Sequence, residues 1–336
     1  MSEPIVYTTT DSATPWTLAK PQVSRYPGTV SRLSNQSTSP LRYPGGKAKI
    51  TQFVGHLLDL NKVSGTYIEP FAGGAGVALN LLYTGKIQTI VINDLDDGVY
   101  SFWNTVLTEP EYLIRRIKET PFDYATPDTL PEPAVLQSIW EEHRYRYDVN
   151  RYHDMREKAF DFFMLNRANM SGVIKAGPIG GTRQDGKYNI SARFNKKTLI
   201  DRLELVYRHR DRIKATNFEA SHFLALLSQG RICDTSDALV YLDPPYYVQG
   251  KHLYNCYATD RIHELVSYQL LENDWNWLLT YDTAPQIYDL YPSEQVQKFE
   301  YGIHYSANKK GTFQEYMFAA NSLAIESFAN VKLVGI

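Results

Sequence analysis

The segment Tyr241-Leu-Asp-Pro-Pro-Tyr-Tyr247 places a carboxylate, two prolines and an aromatic pair directly after the apolar run 238–242. Proline fixes φ and has no N–H, so these two residues remove two amide donors and leave carbonyl groups facing outward. The Asp243 carboxylate and the Pro244 carbonyl are adjacent acceptors that suit a planar amino group with two N–H bonds to donate. The Tyr246 ring adds a stacking face. A proline-rich turn that merely ends a strand is the alternative.

A second segment, Glu69-Pro-Phe-Ala-Gly-Gly-Ala-Gly76, forms a glycine-rich turn between a strand-like and a helix-like stretch. Glycine lets the backbone turn sharply and pass close to a ligand, although tight strand-to-helix turns also require it. The next strand-like stretch ends at Asn93-Asp94, where an acid can accept both ribose hydroxyls of a nucleoside cofactor. The two features together favour a nucleoside site. Asp94 as a helix N-cap is the alternative.

The segment Leu41-Arg-Tyr-Pro-Gly-Gly-Lys47 looks superficially like a phosphate-binding loop. The Walker pattern requires Gly-Lys-Ser/Thr after a strand, whereas here Ala48 follows Lys47 and no strand precedes the glycines. This difference excludes a nucleoside-triphosphatase loop, so by itself the segment predicts only a turn. The chain also lacks the Gly-x-Gly-x-x-Gly spacing expected of a dinucleotide oxidoreductase.

The elements that must position these residues alternate between strands and helices, which indicates a parallel sheet covered by helices. The alternation stops between residues 109 and 210 and then returns. The predicted strands are 66–69, 89–92, 213–217, 238–242 and 277–281, with β-rich segments at 295–305 and 314–319; the predicted helices are 49–60, 77–83, 132–146 and 153–167.

This pattern predicts an α/β domain formed by residues 39–108 and 211–336, interrupted by a largely helical insertion at 109–210 that contains a glycine-rich stretch at 175–186. Residues 1–38 are rich in Ser, Thr and Pro and lack a sustained apolar period. Such a composition buries too little apolar surface to offset the entropy of ordering. We therefore predict a flexible N-terminal tail.

The composition of the 336 residues limits the classes of protein. The formal net charge is −2, so a polyanionic partner would have to meet a local basic patch. The chain has 2 cysteines, Cys233 and Cys256, which are too few for a disulfide framework. No stretch approaches the apolar length of a membrane span, and the N-terminus lacks a signal-peptide layout. These features predict a cytoplasmic protein.

From about Pro40 onward, the order of the motifs resembles that of the Dam-like, D12-class DNA adenine N6-methyltransferases, which use S-adenosylmethionine. Arg42-Tyr-Pro-Gly-Gly-Lys47 resembles the N-terminal cofactor motif, and Glu69–Gly76 resembles the glycine-rich loop. Asn93-Asp94 resembles the ribose-binding turn, and Asp243-Pro-Pro-Tyr246 resembles the catalytic motif. The resemblance implies a Rossmann-like methyltransferase sheet, with the helical insertion as the target-recognition, DNA-binding region.

The resemblance also assigns the cofactor-binding residues. Tyr43 and Lys47 are expected near the methionine end of the cofactor and Asp94 at its ribose. Relatives commonly carry Asp-Phe where this chain has Asn217-Phe218, but Asn217 can still meet the adenine edge and Phe218 can still stack. The implied set is Tyr43, Lys47, Glu69, Phe71, Gly73, Gly74, Asp94, Asn217, Phe218 and Asp243.

The insertion resembles the family's target-recognition region through Asn166-Arg167, Ser171-Gly172 and Gly186-Lys-Tyr-Asn189. It also concentrates basic residues, and phosphate contacts require local positive charge. These basic residues are Arg144, Arg146, Arg151, Arg156, Arg167, Lys175, Arg183, Lys187, Arg193, Lys196 and Lys197. Arg and Asn pair bidentately with guanine and adenine. The implied DNA-contact set is Asn166, Arg167, Arg183, Lys187, Asn189 and Arg193.

The implied reaction is methyl transfer from S-adenosylmethionine to N6 of an adenine flipped out of double-stranded DNA, at a cost of a few kcal/mol for flipping. Asp243, Pro244 and Tyr246 are the expected catalytic residues. Hydrogen bonds to Asp243 and the Pro244 carbonyl would localise the lone pair of N6, while Tyr246 stacks on the base. Transfer would be direct, without a covalent intermediate, and we predict no metal.

Two alternatives are open at this point. N4-cytosine and RNA amino-methyltransferases also use an Asp-Pro-Pro-Tyr motif, since each acts on a planar amino group. A DNA-binding relative without turnover is the other, although the intact Lys47, Asp94 and Asp243 argue against it. Double-stranded DNA is the predicted partner, and a cognate restriction endonuclease is a further candidate.

Overall fold

The computed structural model describes residues 33–35, 37–43, 47–247, 260–305 and 311–336, and their centre is one eight-stranded sheet. In chain order, the strands are β1 (Thr66–Glu69), β2 (Thr89–Asn93), β3 (Ile213–Thr216), β4 (Ala238–Leu242), β5 (Trp277–Asp282), β6 (Val296–Tyr305), β7 (Gly311–Ala320) and β8 (Leu333–Gly335). Their order across the sheet is β3-β2-β1-β4-β5-β7-β6-β8.

Strands β1 to β5 run parallel, whereas β7 runs antiparallel to both of its neighbours, β5 and β6. All residues of β1, β2 and β4 are buried, as expected for parallel strands covered on both faces. The chain builds β1, β2 and β3 outward in one direction and then returns to place β4 on the other side of β1. The predicted Rossmann-like α/β methyltransferase sheet is confirmed, and its switch point lies between β1 and β4.

Helices connect most of the strands in the described part of the chain. They are α1 (Thr51–Leu60), α2 (Gly76–Tyr83), α3 (Asp97–Thr108), α4 (Pro110–Glu119), α5 (Pro133–Val149), α6 (Met155–Ala168), α7 (Lys196–Arg208), α8 (Ala220–Ser228), α9 (Asp260–Leu271) and α10 (Pro285–Asp289). Short 3-10 segments occur at Lys47–Ile50, Pro127–Thr129, Met170–Gly172, Ile190–Arg193 and Arg210–Arg212.

The predicted insertion packs directly on the sheet domain. The rings of Phe102 in α3 and Phe163 in α6 stack with centroids 5.5 Å apart, and both residues belong to a hydrophobic core that includes the sheet. Within the insertion, the buried Asp161 of α6 accepts bonds from the side chains of Arg146 and Tyr152 and pairs with His143. α6 therefore contacts both the sheet domain and the rest of the insertion. The domain limits at 109 and 210 remain a prediction.

The last residues of the predicted N-terminal tail that the structure describes contact the folded domain. Leu33 packs against the core, and an ideal Cβ on Gly55 would collide with its Cδ1 unless the Leu33 side chain moved. Thr38 Oγ1 donates to Asn80 Oδ1 at 2.7 Å. Local apolar contact and hydrogen bonds thus fix this stretch, which a composition argument could not detect. Residues 1–32, which make up the rest of the predicted tail, lie outside the described residues.

No helix in the described ranges is long and apolar enough to cross a membrane. Among the same residues, no group of three or more His, Cys, Asp or Glu side chains could hold a metal ion. Cys233 is a buried free thiol, and burial raises its pKa to about 11. Cys256 lies outside the described residues.

Candidate active site

The switch point brings two predicted site residues to neighbouring strand ends. Glu69 ends β1 and Asp243 follows the last residue of β4, and these two strands pair in parallel with Ile68 opposite Val240. In open α/β sheets, ligands bind outside the carboxyl ends of the strands at such a point. The glycine-rich turn and the Asp-Pro-Pro-Tyr turn therefore face the same crevice.

The two carboxylate oxygens of Asp243 have different surroundings. Oδ1 accepts hydrogen bonds from Lys47 Nζ at 2.7 Å and from Thr280 Oγ1 at 3.0 Å. No described residue bonds to Oδ2, and the Asp243 side chain is 21% exposed. Burial raises the pKa of Asp243, and the positive charge of Lys47 offsets part of that rise. One oxygen is thus fixed by the protein, while the other can accept a bond from a substrate.

Lys47 is the cation at the centre of a cluster that includes Asp243, Tyr246 and Glu315. Its side chain is 2% exposed, and Nζ lies 2.7 Å from Asp243 Oδ1 and 3.4 Å from Glu315 Oε2. The same ammonium lies 5.2 Å from the centroid of the Tyr246 ring. A buried ammonium costs several kcal/mol unless it is well paired, and here two carboxylates supply that pairing. Pro44, Gly45 and Gly46, which precede Lys47, lie outside the described residues.

Glu315, Thr280 and Tyr301 belong to the cluster and were not predicted from the sequence. Glu315 in β7 is buried and accepts bonds from the hydroxyls of Tyr246 at 2.7 Å and Tyr301 at 2.6 Å. Thr280 in β5 is fully buried and also bonds to the Tyr241 hydroxyl at 3.0 Å. For Thr280, the sequence offered one signal, which is a polar residue within the otherwise apolar run Trp277-Leu-Leu-Thr-Tyr281.

The glycine-rich turn is bonded directly to Asp94. Gly73 has φ +46, and its N–H donates to Asp94 Oδ2 at 2.8 Å. Its carbonyl accepts from Trp103 Nε1 at 2.9 Å, which links the turn to α3. A side chain at Gly73 would collide with the Tyr43 ring, since an ideal Cβ would come within 2.6 Å of it. The predicted residues Tyr43, Gly73 and Asp94 therefore form one contact group.

Asp94 does not cap a helix. Its Oδ1 accepts the N–H of Asp96 at 2.9 Å, and Asp96 is itself the N-cap of α3, accepting from Gly98 and Val99. The alternative reading of Asp94 as an N-cap is thus wrong. A carboxylate offers about four acceptor positions, so two backbone bonds leave capacity for ribose hydroxyls.

Asn93 connects the turns that follow three neighbouring strands. Its Nδ2 donates to the carbonyls of Pro70 and Phe218, and its Oδ1 accepts from the Phe218 N–H and the Thr216 hydroxyl. Asn217 Nδ2 donates to the Asp94 carbonyl at 2.7 Å. This bond supports the turn, and contact of Asn217 with a cofactor remains a prediction.

The remaining predicted cofactor residues lie around the same turn. The Phe218 ring stacks on His222 with centroids 5.5 Å apart. Phe71 is partly buried against the core, and an ideal Cβ on Gly74 would lie 3.2 Å from Tyr43 Cβ. Burial raises the pKa of Glu69 to about 8, and the nearby charge of Asp243 acts in the same direction.

Burial also raises the pKa of Asp94, to about 7, and the neighbouring Asp96 adds to the rise. Both Asp94 and Glu69 are therefore carboxyl groups whose ionised form lacks full compensation from the protein alone. A ligand with hydroxyl or cationic groups would supply the missing partners.

Two of the predicted DNA contacts lie in the interior. Asn166 is 1% exposed, and its side chain bonds to the backbone N–H and carbonyl of Arg42 and to the Gly172 carbonyl. Arg167 is 8% exposed and donates to the carbonyls of Arg193 and Pro40. Both side chains bond to backbone groups in this structure, and contact of Asn166 and Arg167 with DNA remains a prediction.

The other four predicted contacts lie at or near the surface. Arg183, Lys187 and Arg193 are exposed, and the Arg183 side chain has 86% exposure. Asn189 is half-buried and caps the Ile190–Arg193 segment by accepting from Ser191. Several other cations of the insertion pair with local carboxylates, namely Arg146 with Asp161, Arg156 with Asp154 and Glu109, and Lys197 with Asp201. Arg183 itself lies 3.6 Å from Asp185, and the insertion carries further exposed cations outside the glycine-rich stretch.

A model of the D12 class N6 adenine-specific DNA methyltransferases matches residues 43–309. The chain belongs to this family. The matched range contains Tyr43, Lys47, Asp94 and Asp243, whose contacts are described above, and ends before Glu315.

Curated relatives of this D12-class chain carry names of the same kind. It is 23% identical over 207 residues to a DNA adenine methylase of Vibrio cholerae, covering 61% of this chain and 64% of that protein, which is less than two thirds of it. It is 21% identical to the Type II methyltransferase M.MjaIII of Methanocaldococcus jannaschii, over 61% of this chain and 68% of that one.

The modification methylase StsI of Streptococcus sanguinis is 25% identical over 65% of this chain, but the match covers only 30% of StsI. Among solved structures, the rRNA methyltransferase aviRa of Streptomyces viridochromogenes aligns with 80% of this chain and 84% of its own, at 12% identity and a TM-score of 0.29. That likeness is too low to support any inference about function.

The D12-class site fits the S-adenosylmethionine that the family and fold imply. Gly73 and Gly74 leave backbone that a side chain would block, and Asp94 lies beside them with acceptor capacity to spare. Asp94 and Glu69 both have raised pKa values, which suits groups that await polar or cationic ligand atoms. Tyr43, Glu69, Asp94 and Phe218 are the side chains we expect to hold it.

Proposed function

We propose that this protein is a site-specific DNA adenine methyltransferase that transfers a methyl group from S-adenosylmethionine to N6 of an adenine in double-stranded DNA. The observation that carries the proposal is the asymmetry of Asp243. Its Oδ1 is held by Lys47 and Thr280, while its Oδ2 has no bond from the described residues. An exocyclic amino group can donate to such an oxygen.

The target adenine must leave the DNA stack to reach Asp243, at a cost of a few kcal/mol. The Tyr246 ring, anchored through its hydroxyl to Glu315, offers a stacking face that offsets part of this cost. When bound, S-adenosylmethionine supplies an electrophilic methyl group on a sulfonium. Asp243 and the Pro244 carbonyl then act on the substrate, because two oriented acceptors stabilise the positive charge that develops on N6.

The proposed DNA surface is formed by residues 183–193, at the end of the glycine-rich stretch and directly after it. Arg183, Lys187 and Arg193 supply charge there, and the exposed Tyr188 lies between them in sequence. Asn166 and Arg167 support this surface from beneath, since Arg167 donates to the carbonyl of Arg193. A cognate restriction endonuclease and a cytoplasmic location remain predictions.

The direct test is incubation of the protein with labelled S-adenosylmethionine and duplex DNA, followed by digestion to nucleosides. We expect label in N6-methyl-2′-deoxyadenosine, with Asp243→Asn inactive and Asp211→Asn, at an exposed carboxylate, as active as the wild type. Label in N4-methylcytosine, or label only with an RNA substrate, would support the alternative transferases. DNA binding without any incorporation would indicate a silent relative.

A further inference from the structure

Glu315 is a buried carboxylate at the transfer site that the assigned motifs do not include. It lies on β7, opposite Asp282 of β5 and Tyr301 of β6, and its side chain is 3% exposed. β7 runs antiparallel to β5, so an early residue of β7 lies beside the last residue of β5. Because β7 is antiparallel, this carboxylate lies at the end of the sheet where Asp243 lies.

The two oxygens of Glu315 divide their partners. Oε1 accepts from the Tyr246 hydroxyl at 2.7 Å. Oε2 accepts from the Tyr301 hydroxyl at 2.6 Å and lies 3.4 Å from Lys47 Nζ. One buried group is thus bonded both to the proposed stacking ring and to the cation that holds Asp243.

We infer that Glu315 is a positioning residue for the proposed methyl transfer, and this inference rests on the proposed function. It acts through two neighbours. By sharing the Lys47 ammonium, it keeps that cation on Asp243 Oδ1 and leaves Oδ2 for the amino group. By bonding to the Tyr246 hydroxyl, it fixes the orientation of the ring on which the base stacks.

A purely structural role explains the arrangement less well. Replacing a buried ionic network by well-packed apolar residues is often neutral or stabilising, so stability alone gives little reason to keep Lys47, Asp243 and Glu315 together. Their contacts instead hold Asp243 Oδ1, which leaves Oδ2 for a substrate, and the hydroxyl of Tyr246. The geometry favours control of the substrate groups over control of the fold.

Glu315→Gln removes the charge while preserving shape, so the two tyrosine hydroxyls can make only weaker, neutral hydrogen bonds to the amide. Lys47 then loses one of the two carboxylates placed against it, and its position on Asp243 Oδ1 is no longer fixed from two sides. We expect kcat to fall about ten- to hundredfold, as for loss of a hydrogen bond to a charged group. We also expect a weaker 2-aminopurine fluorescence response at the target position, with cofactor affinity measured by calorimetry little changed.

A pH profile separates positioning from packing. The groups that face Asp243 from the surrounding elements are Lys47, Glu69, Tyr67, Tyr241, Tyr281 and Glu315. Of these, Glu315 raises the pKa of Asp243 and Lys47 lowers it. In Glu315→Gln the acid limb of kcat/KM is therefore expected to move to lower pH, whereas loss of packing alone would leave it in place.

Tyr301→Phe is the comparison variant, because it removes one neutral donor to Glu315 and leaves the carboxylate charge beside Lys47 in place. It should retain the acid limb and most of the fluorescence response. If Glu315→Gln does not fold, Glu315→Asp keeps the charge and shortens the reach, so we expect an unchanged acid limb and a weaker base response.

The outcomes separate the two proposals. A wild-type protein that does not methylate adenine would reject the proposed function and this inference with it. An active wild type with an unaltered acid limb and base response in Glu315→Gln would reject the inference alone. If Glu315→Asp is used instead, a 2-aminopurine fluorescence response equal to that of the wild type would overturn the proposed link between Glu315 and Tyr246.

Discussion

Asn166 bonds to both polar backbone groups of Arg42. Its Oδ1 accepts the Arg42 N–H at 2.8 Å, and its Nδ2 donates to the Arg42 carbonyl at 2.6 Å. Gly172, with φ +78, approaches the same carbonyl so closely that an ideal Cβ would lie 2.5 Å from it. The helical insertion thus holds the segment that leads into Tyr43.

Asn166→Ala is expected to destabilise the protein and to weaken cofactor binding. The substitution leaves a buried N–H and a buried carbonyl of Arg42 without this partner, and each unsatisfied group costs about 1–3 kcal/mol. Denaturant unfolding and calorimetry with S-adenosylmethionine measure the two effects. Asn321→Ala, which removes an exposed amide, is the control. Unchanged stability of Asn166→Ala would show that Arg42 is held by other contacts.

Tyr246→Ala is expected to lose roughly ten- to hundredfold of activity on duplex DNA, since stacking of a base on an aromatic ring contributes about 1–3 kcal/mol. From the sequence alone, Tyr246→Phe would lose little. The bond from the hydroxyl to Glu315 now predicts an intermediate loss, about tenfold, because a buried carboxylate loses a donor. Fluorescence of 2-aminopurine at the target position checks both variants. Equal losses for Phe and Ala would assign the effect to the hydroxyl alone.

Replacing both Arg183 and Lys187 by Ala is expected to reduce DNA affinity and flatten its dependence on salt. Each lost phosphate contact lowers the slope of log K against log salt by up to about 0.9. Lys197→Ala is a matched control, because Lys197 has 84% exposure and, like Arg183 with Asp185, pairs with a nearby carboxylate, Asp201, but lies on α7. If the Lys197 variant changes the slope and the double variant does not, the DNA surface lies on α7 instead.

Glu69 is expected to make the free protein less stable as the pH rises. Burial raises its pKa from 4.5 to about 8, so the folded protein keeps a proton there that the unfolded chain releases. The stabilisation is complete below the unfolded pKa and is lost as the pH rises through the folded one. Asp94, with its pKa raised to about 7, contributes in the same direction.

Glu69→Gln stays neutral and removes this loss. The melting temperature of the wild type should fall between about pH 5 and about pH 8. The melting temperature of the variant should fall by roughly 2–4 °C less over the same range. Glu294→Gln, at an exposed position, is the control. A variant whose melting temperature follows the wild type across this range would show that Glu69 is already ionised in the free protein.

Much of the sheet was predictable because its central strands are continuous apolar runs. β4 spans residues 238–242 as predicted, and β2 extends one residue further, to Asn93. Asp94 and Asp243 were recognisable because they follow those runs, and parallel strands present their carboxyl ends at one edge. Such residues can be recognised in the sequence because each of them directly follows its strand along the chain.

Contacts that depend on packing between distant segments were not predictable. Asn166 and Arg167 have the side chains expected of DNA-binding residues, but the same donors and acceptors satisfy buried backbone groups of Arg42 and Arg193. Glu315 reaches Lys47 only because β7 lies between β5 and β6. The neighbouring residues in the sequence reveal neither that a polar side chain is buried nor that a strand lies between two others in the sheet.

The reversed strand β7 makes the site a late product of folding. Lys47 and Asp243 are 196 positions apart in the chain, and Glu315 lies beyond both of them. Contacts of such long sequence separation form slowly, because large loops must close before any binding energy is gained. We therefore expect helical circular dichroism to recover before methyl transfer during refolding, so that the return of activity reports the docking of β7 into the sheet.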